Sequence, residues 1–208
     1  SFLAMGTATQ AGTYGLAIGY ADSFDPWKFI WAMDVQAGNP IVDGRTLRLD
    51  DPTSRAAYRT YLGWLATDKV VDPAAVGWKN AQAIAAFGAG KAAFLPMVSA
   101  SSKVTLDRSA VAGKYGYAIM PTIPPGATAL PGGGVPATSI LSGDNLVVAK
   151  YSKTKDLAFA LVKMLTSQET QERYYRTFGE LPTNAATAAA LKDDPALAAI
   201  VESSGKSA

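Results

Sequence analysis

Residues 142–183 read SGDNLVVAKYSKTKDLAFALVKMLTSQETQERYYRTFGELPT, and the change of period within this stretch decides the fold class. Residues 146–149 form a short apolar run bounded by turn residues, the pattern of a buried strand. From 155 to 166 the residues Leu157, Ala158, Leu161, Val162 and Leu165 recur at helical spacing, which predicts an amphipathic helix. Ser167 then reads as a cap for a second helix, with Thr170 three positions on and Glu169 and Glu172 suited to a helix N-terminus. Gly179, just after Phe178, supplies the stop. A strand feeding two helices makes the fold class α/β.

The same alternation extends upstream. Residues 115–120 read as a strand ended by Pro121, and 92–97 as a buried strand entered from a short helix over 80–87 that Gly88 closes. Residues 1–13 are small and polar, a loop, and 14–20 form the first strand. Asp25 before Pro26 has the form of an N-cap with proline at the first helical position. The helix that follows carries Trp27, Ile30, Trp31 and Asp34 and stops near Gly38, with Trp31 expected in the core. A short strand or hairpin is expected around Asp43 and Gly44. Asp51-Pro52 starts a second helix with Tyr58, Tyr61, Leu62 and Leu65 as its apolar stripe. Asp72-Pro73 opens a loop. Proline and glycine crowd 121–144, which predicts a long loop, and short helices are expected over 184–192 and 195–203. No internal repeat is present.

Composition sets the outer bounds. The chain has 208 residues, 49% of them hydrophobic and 17% charged, so it is globular and long enough for a real core. A net charge of +2 with both signs interspersed gives no field for nucleic acid or an anionic membrane. The absence of Cys and His rules out disulfides, thiolate nucleophiles, zinc fingers and imidazole bases. No apolar run approaches the roughly 20 residues of a membrane span. Any export signal is expected outside this sequence.

Local chemistry is sparse. Gly88-Ala89-Gly90-Lys91-Ala92 suggests a phosphate loop but puts Ala85 where the first glycine belongs and Ala92 where magnesium needs a hydroxyl. A helix end leading into a strand is the better reading. Gly132-Gly133-Gly134 neither follows a strand nor opens a helix, and reads as a flexible loop whose bare backbone can approach a ligand. Asp50-Asp51 and Asp193-Asp194 each precede proline and read as helix caps before they read as catalytic pairs. A carboxylate-based glycoside-processing enzyme stays open as an alternative, as does a module that binds a protein through Trp27 and Trp31. The positive signal is aromatic. Trp27, with Phe24 just before it, sits in a first helical turn beside a strand-to-helix loop, where ligands of α/β sheets gather. An indole there can stack on the apolar face of a sugar while nearby carboxylates and amides bind hydroxyls.

In order and spacing, the segments Phe87 to Phe94, Tyr115 to Pro121 and 142–183 resemble the carbohydrate-type extracellular solute-binding proteins of ABC importers, the maltodextrin-binding-like group. The resemblance covers residues 14–208 and implies a periplasmic-binding-protein-like lobe, with helices packed around a small mixed sheet. Asp25-Pro26-Trp27 looks like the acidic-Pro-aromatic element that begins a ligand-contacting helix in the C-terminal lobe of such proteins. By the same resemblance, the segment from Met97 to Ser101 faces ligand, so Ser99 and Ser101 are candidates; relatives carry a tryptophan there that this chain lacks. Ser142, Gly143, Asp144 and Asn145 match a Gly-rich approach to the cleft, Asp144 reading equally as a hydroxyl acceptor and as a turn residue. Arg176 joins the candidates from the second helix of the 142–183 block.

The resemblance further implies a single C-terminal-lobe-like unit over 1–208, with 115–150 crossing towards an N-terminal lobe that the sequence does not include. The function implied is capture of a sugar or oligosaccharide between two lobes without chemistry, for delivery to ABC permease subunits. It is expected of a monomer, extracellular or periplasmic and lipid-anchored in full-length form, that uses no metal, cofactor or nucleic acid. Glycerol-phosphate-type ligands would need Lys103 or Arg176 in the cleft.

Overall fold

The computed structural model describes residues 12–137, 140 and 143–204; the expectations for Ser142 and for residues 1–11 lie outside them. Strand β1 (Tyr14–Leu16) runs parallel to β4 (Ala92–Phe94), with Tyr14 opposite Ala92 and Leu16 opposite Phe94. On its other side Leu16 bridges Val71, and its amide donates to the Val70 carbonyl at 2.9 Å. Leu16, Ala17 and Ile18 are consequently almost fully buried. Both expected strands, 14–20 and 92–97, are therefore shorter than their apolar runs, because each lasts only while a neighbour pairs with it.

Helix α1 (Asp25–Gln36) and helix α2 (Pro52–Ala66) flank an antiparallel hairpin of β2 (Val42–Asp43) and β3 (Thr46–Leu47). Asp51 caps α2 as expected, its carboxylate accepting from the Thr53 amide at 2.9 Å. Asp25 does not cap α1. Phe24 already has helical φ and ψ in the cap position, and the Asp25 carboxylate pairs with Lys28 one turn on.

The two helices pack through Phe29, Ile30 and Met33 of α1 and Ala57, Tyr61 and Trp64 of α2. Phe29 meets Trp64 edge-on at 83° with ring centroids 5.6 Å apart, a favoured aromatic geometry. The buried stripe of α2 is Ser54, Ala57, Tyr61 and Trp64, rotated from the expected one, and Tyr58 and Leu62 are exposed. Small residues at 54 and 57 explain the rotation: they let α1 come close, and the Ser54 hydroxyl donates to the buried Asp34 carboxylate at 2.9 Å. Burial raises the pKa of Asp34, while hydrogen bonds from Ser54, Thr53 and Asn39 oppose that shift.

A 3-10 helix (Pro73–Gly77), capped by Asp72, stands where a loop was expected. It leads to α3 (Asn80–Gly88), β4 and α4 (Ser102–Leu106). The glycine loop at 132–134 approaches α1. A Cβ at Gly134 would lie 2.4 Å from the Gln36 carbonyl oxygen, and the Val135 amide donates to the Val35 carbonyl at 2.9 Å. This close approach is what demands glycine.

The expected strands at 115–120 and 146–149 are absent: neither segment has a ladder partner among the described residues, and an apolar run makes a strand only where another strand can receive it. Helix α5 (Lys155–Leu165) forms as predicted, yet none of its residues is buried. Helix α6 (Gln168–Phe178) starts on the Ser167 hydroxyl and stops at Gly179, which takes the left-handed conformation. Helices α7 (Ala185–Ala190) and α8 (Pro195–Ser204) follow, with Tyr175, Leu191 and Leu197 forming a small separate core.

Candidate functional site

The loop from β1 to α1 is built around Asp22. Its carboxylate accepts from the amides of Phe24 at 2.9 Å and Asn80 at 3.1 Å. The Phe24 hydrogen bond above all holds its pKa below the usual carboxylate value. Tied down in this way, the loop presents Phe24 and Trp27 side by side with ring centroids 6.5 Å apart. They are 62% and 46% exposed.

Trp27 also opens onto an apolar groove of about 500 Å³ that it lines with Trp31, Val35, Pro40, Val135 and Ile140. Trp31 is thus half-buried at the groove and not in the core. It lies one turn from Trp27 on the face that α2 leaves uncovered.

Asp25 is 4% exposed. One carboxylate oxygen lies 2.6 Å from the Lys28 ammonium, and the other accepts from the Gly19 amide at 3.4 Å. The same ammonium donates to the Met97 carbonyl at 2.9 Å. Lys28 therefore joins the first turn of α1 to the loop after β4 at Met97, 69 residues later in sequence. Sequence reasoning passed over Lys28. The signal was its place one turn after Asp25, the spacing of a helical ion pair.

Met97 has a φ of 54°, in the left-handed region that non-glycine residues seldom occupy. Beyond it Ser99 and Ser101 share a hydroxyl-to-hydroxyl hydrogen bond of 2.8 Å. The Ser101 end of the loop rests on the C-terminus of α6, where a Cβ at Gly179 would lie 2.9 Å from the Ser101 Cα.

The remaining candidates stand apart from this pair of segments. Gly143, Asp144 and Asn145 are exposed, and no hydrogen bond among the described residues ties them to Trp27 or to the 97–101 loop. Arg176 is paired with Glu172 along α6 at 2.8 Å. Lys103 is paired with Asp107, which also accepts from the Tyr115 hydroxyl at 2.7 Å. Asp51 and Asp194 cap helices, Asp194 through the Ala196 amide at 2.9 Å.

No curated protein matches the chain. Among solved structures it is similar to the Thermus thermophilus maltotriose binding protein bound with maltotriose, at 19% identity and a TM-score of 0.70, over 100% of this chain and 53% of that one. It is similar to the maltose-bound MalE3 of T. maritima, at 21% identity and a TM-score of 0.66, over 88% and 45% of the two chains. The maltose-maltodextrin binding protein of Alicyclobacillus acidocaldarius matches at 22% identity and a TM-score of 0.63, over 95% and 51%. These likenesses give the fold, an α/β lobe of periplasmic-binding-protein type, and the chain spans about half the length of the structures it matches. The model of one family covers residues 3–172, well over half the sequence, and the chain belongs to that family, the bacterial extracellular solute-binding proteins.

Proposed function

We propose that this chain is the sugar-holding C-terminal-type lobe of an ABC importer's extracellular receptor, and that it binds a neutral oligosaccharide without chemical change. The observation that carries the reading is the exposed pair of Phe24 and Trp27 at the start of α1, the helix that Lys28 ties to the Met97 carbonyl. Stacking on Trp27 and Phe24 would hold the apolar face of a pyranose. The Ser99 and Ser101 hydroxyls would exchange hydrogen bonds with its hydroxyls. The maltose and maltotriose in the similar structures give the class of ligand to try first.

Charge supports a neutral ligand. Lys28, Lys103 and Arg176 each have an acidic partner, so none of these three is a bare cation for a phosphate. In the full-length receptor a second lobe would close over the sugar, Asp144 and Asn145 would meet it from the 115–150 crossing, and permease subunits would receive the closed form. A lipid anchor would keep such a receptor at the membrane. Four of the carboxylates have structural partners that favour capture over catalysis: Asp25 is ion-paired, Asp34 is buried against Ser54, and Asp51 and Asp194 cap helices.

Titration of the chain with maltose, maltotriose and maltotetraose, followed by intrinsic tryptophan fluorescence, tests the reading. A saturable change with at least one of them is expected. A flat response to all three up to tens of millimolar would contradict it.

A further inference from the structure

We infer that Lys28 is the positioning residue of this site: its ammonium, shared between the Asp25 carboxylate and the Met97 carbonyl, fixes the distance between the Trp27 indole and the serine hydroxyls. The inference rests on the sugar-binding reading for its functional consequence, but its geometry stands apart from that reading.

The pair is not an ordinary surface ion pair. The Lys28 and Asp25 side chains are 17% and 5% exposed, so little water competes for either charge, and breaking the pair would leave a buried carboxylate unmatched. A lysine ammonium has three N–H donors. One meets Asp25 at 2.6 Å and a second meets the Met97 carbonyl at 2.9 Å.

That carbonyl belongs to a residue with φ of 54°, a conformation that persists only where the surroundings over-determine it. Met97 is held at both ends. Its side chain packs against the core cluster that contains Phe29 and Tyr61, and its carbonyl is bound by Lys28. Four residues later the Ser101 backbone lies against Gly179. The loop carrying Ser99 and Ser101 thus hangs between two anchors, and Lys28 is the anchor next in sequence to Trp27.

Two consequences follow. First, Asp25 is neutralised within its own helix, so it supports the site through Lys28 and does not itself accept from the ligand. Second, Lys28 and Asp25 cancel each other's charge at the start of α1, which suits a neutral polyol better than an acidic sugar.

Aminoethylation provides the test, because the chain contains no cysteine. A Lys28→Cys chain, alkylated with 2-bromoethylamine while unfolded and then refolded, regains an ammonium at nearly the lysine position. The readouts are maltotriose affinity by tryptophan fluorescence and the Met97 methyl signal in methionine methyl-labelled protein, assigned among five methionines with Met97→Leu. Before alkylation, affinity is expected to fall at least tenfold and the Met97 signal to move; alkylation is expected to restore both.

A double variant, Asp25→Asn with Lys28→Met, guards against simple misfolding because it removes both charges together. If Lys28 served only to balance Asp25, this variant would regain wild-type affinity and an unmoved Met97 signal, and that result overturns the inference. A folded double variant with weak binding and a displaced Met97 signal upholds it. If the unaltered chain binds no sugar, the sugar-binding reading fails by itself. The Met97 signal then decides alone: unchanged in the Cys and double variants, it overturns the clasp; moved and restored by alkylation, it supports it.

Discussion

Replacing Phe29 by alanine is expected to remove about 3–5 kcal/mol of unfolding free energy, the usual cost of emptying a packed aromatic site. Phe29 is 2% exposed and lies between two aromatic rings of α2, with centroids 5.4 Å from Tyr61 and 5.6 Å from Trp64. Ile30 and Met33 flank it on the same face, so neighbours have little freedom to collapse into the void. Urea unfolding would show the loss as a lower midpoint at unchanged slope. Leu62→Ala is the control: Leu62 is also on α2 but 52% exposed, and its removal is expected to cost about 0.5 kcal/mol or less. Equal losses for the two variants would mean that α1 does not pack on α2 as described.

Gly179→Val should be nearly as damaging, for a different reason. Gly179 has a φ of 73°, where a β-branched residue is strained by about 1–3 kcal/mol. A Cβ would also lie 2.9 Å from the Ser101 Cα and 3.2 Å from the Ala100 carbonyl oxygen. Those are backbone atoms, which cannot swing aside as a side-chain tip can. Strain and clash together are expected to cost about 2–4 kcal/mol. The backbone must also give way on the loop that bears Ser99 and Ser101, so any sugar affinity should fall with stability. A Gly179→Val chain as stable as the parent would show that α6 and this loop are not in contact.

What was legible in the sequence was mostly local. Asp51-Pro52, Ser167 and Gly179 marked helix ends correctly because capping is settled within a few residues. Elements that depend on a distant partner were harder. The strands at 115–120 and 146–149 had suitable composition, but a ladder needs a neighbour and the described residues supply none. The stripe of α2 was misjudged because Ser54 and Ala57 are buried by the close approach of α1, which hydrophobicity alone does not predict. Trp31 was expected in the core, yet it is half-buried and lines the groove beside Trp27.

The same division runs through the candidate site. Trp27 and Phe24 could be singled out as candidates because an aromatic pair in a strand-to-helix turn is a local pattern. Asp22, which ties that turn to α3 through the Asn80 amide, and Lys28, which ties it to Met97, act across 58 and 69 residues. No spacing rule connects positions so far apart. Asp25 shows the converse: its motif was evident, but burial beside Lys28 gives the carboxylate a protein partner before any ligand arrives. Family membership, by contrast, was carried by the order of segments along the chain, which survives where individual contacts vary.

The most direct measurement is the maltotriose fluorescence titration repeated with Trp27→Ala. Of the four tryptophans, Trp64 is buried in the core and Trp27 is 46% exposed, so a sugar held at Trp27 should change the emission of the parent chain saturably. The account predicts that the variant, folded and with parental stability, loses that response together with at least a tenfold loss of affinity. A variant that binds maltotriose as tightly as the parent would contradict it, and would place any sugar away from α1.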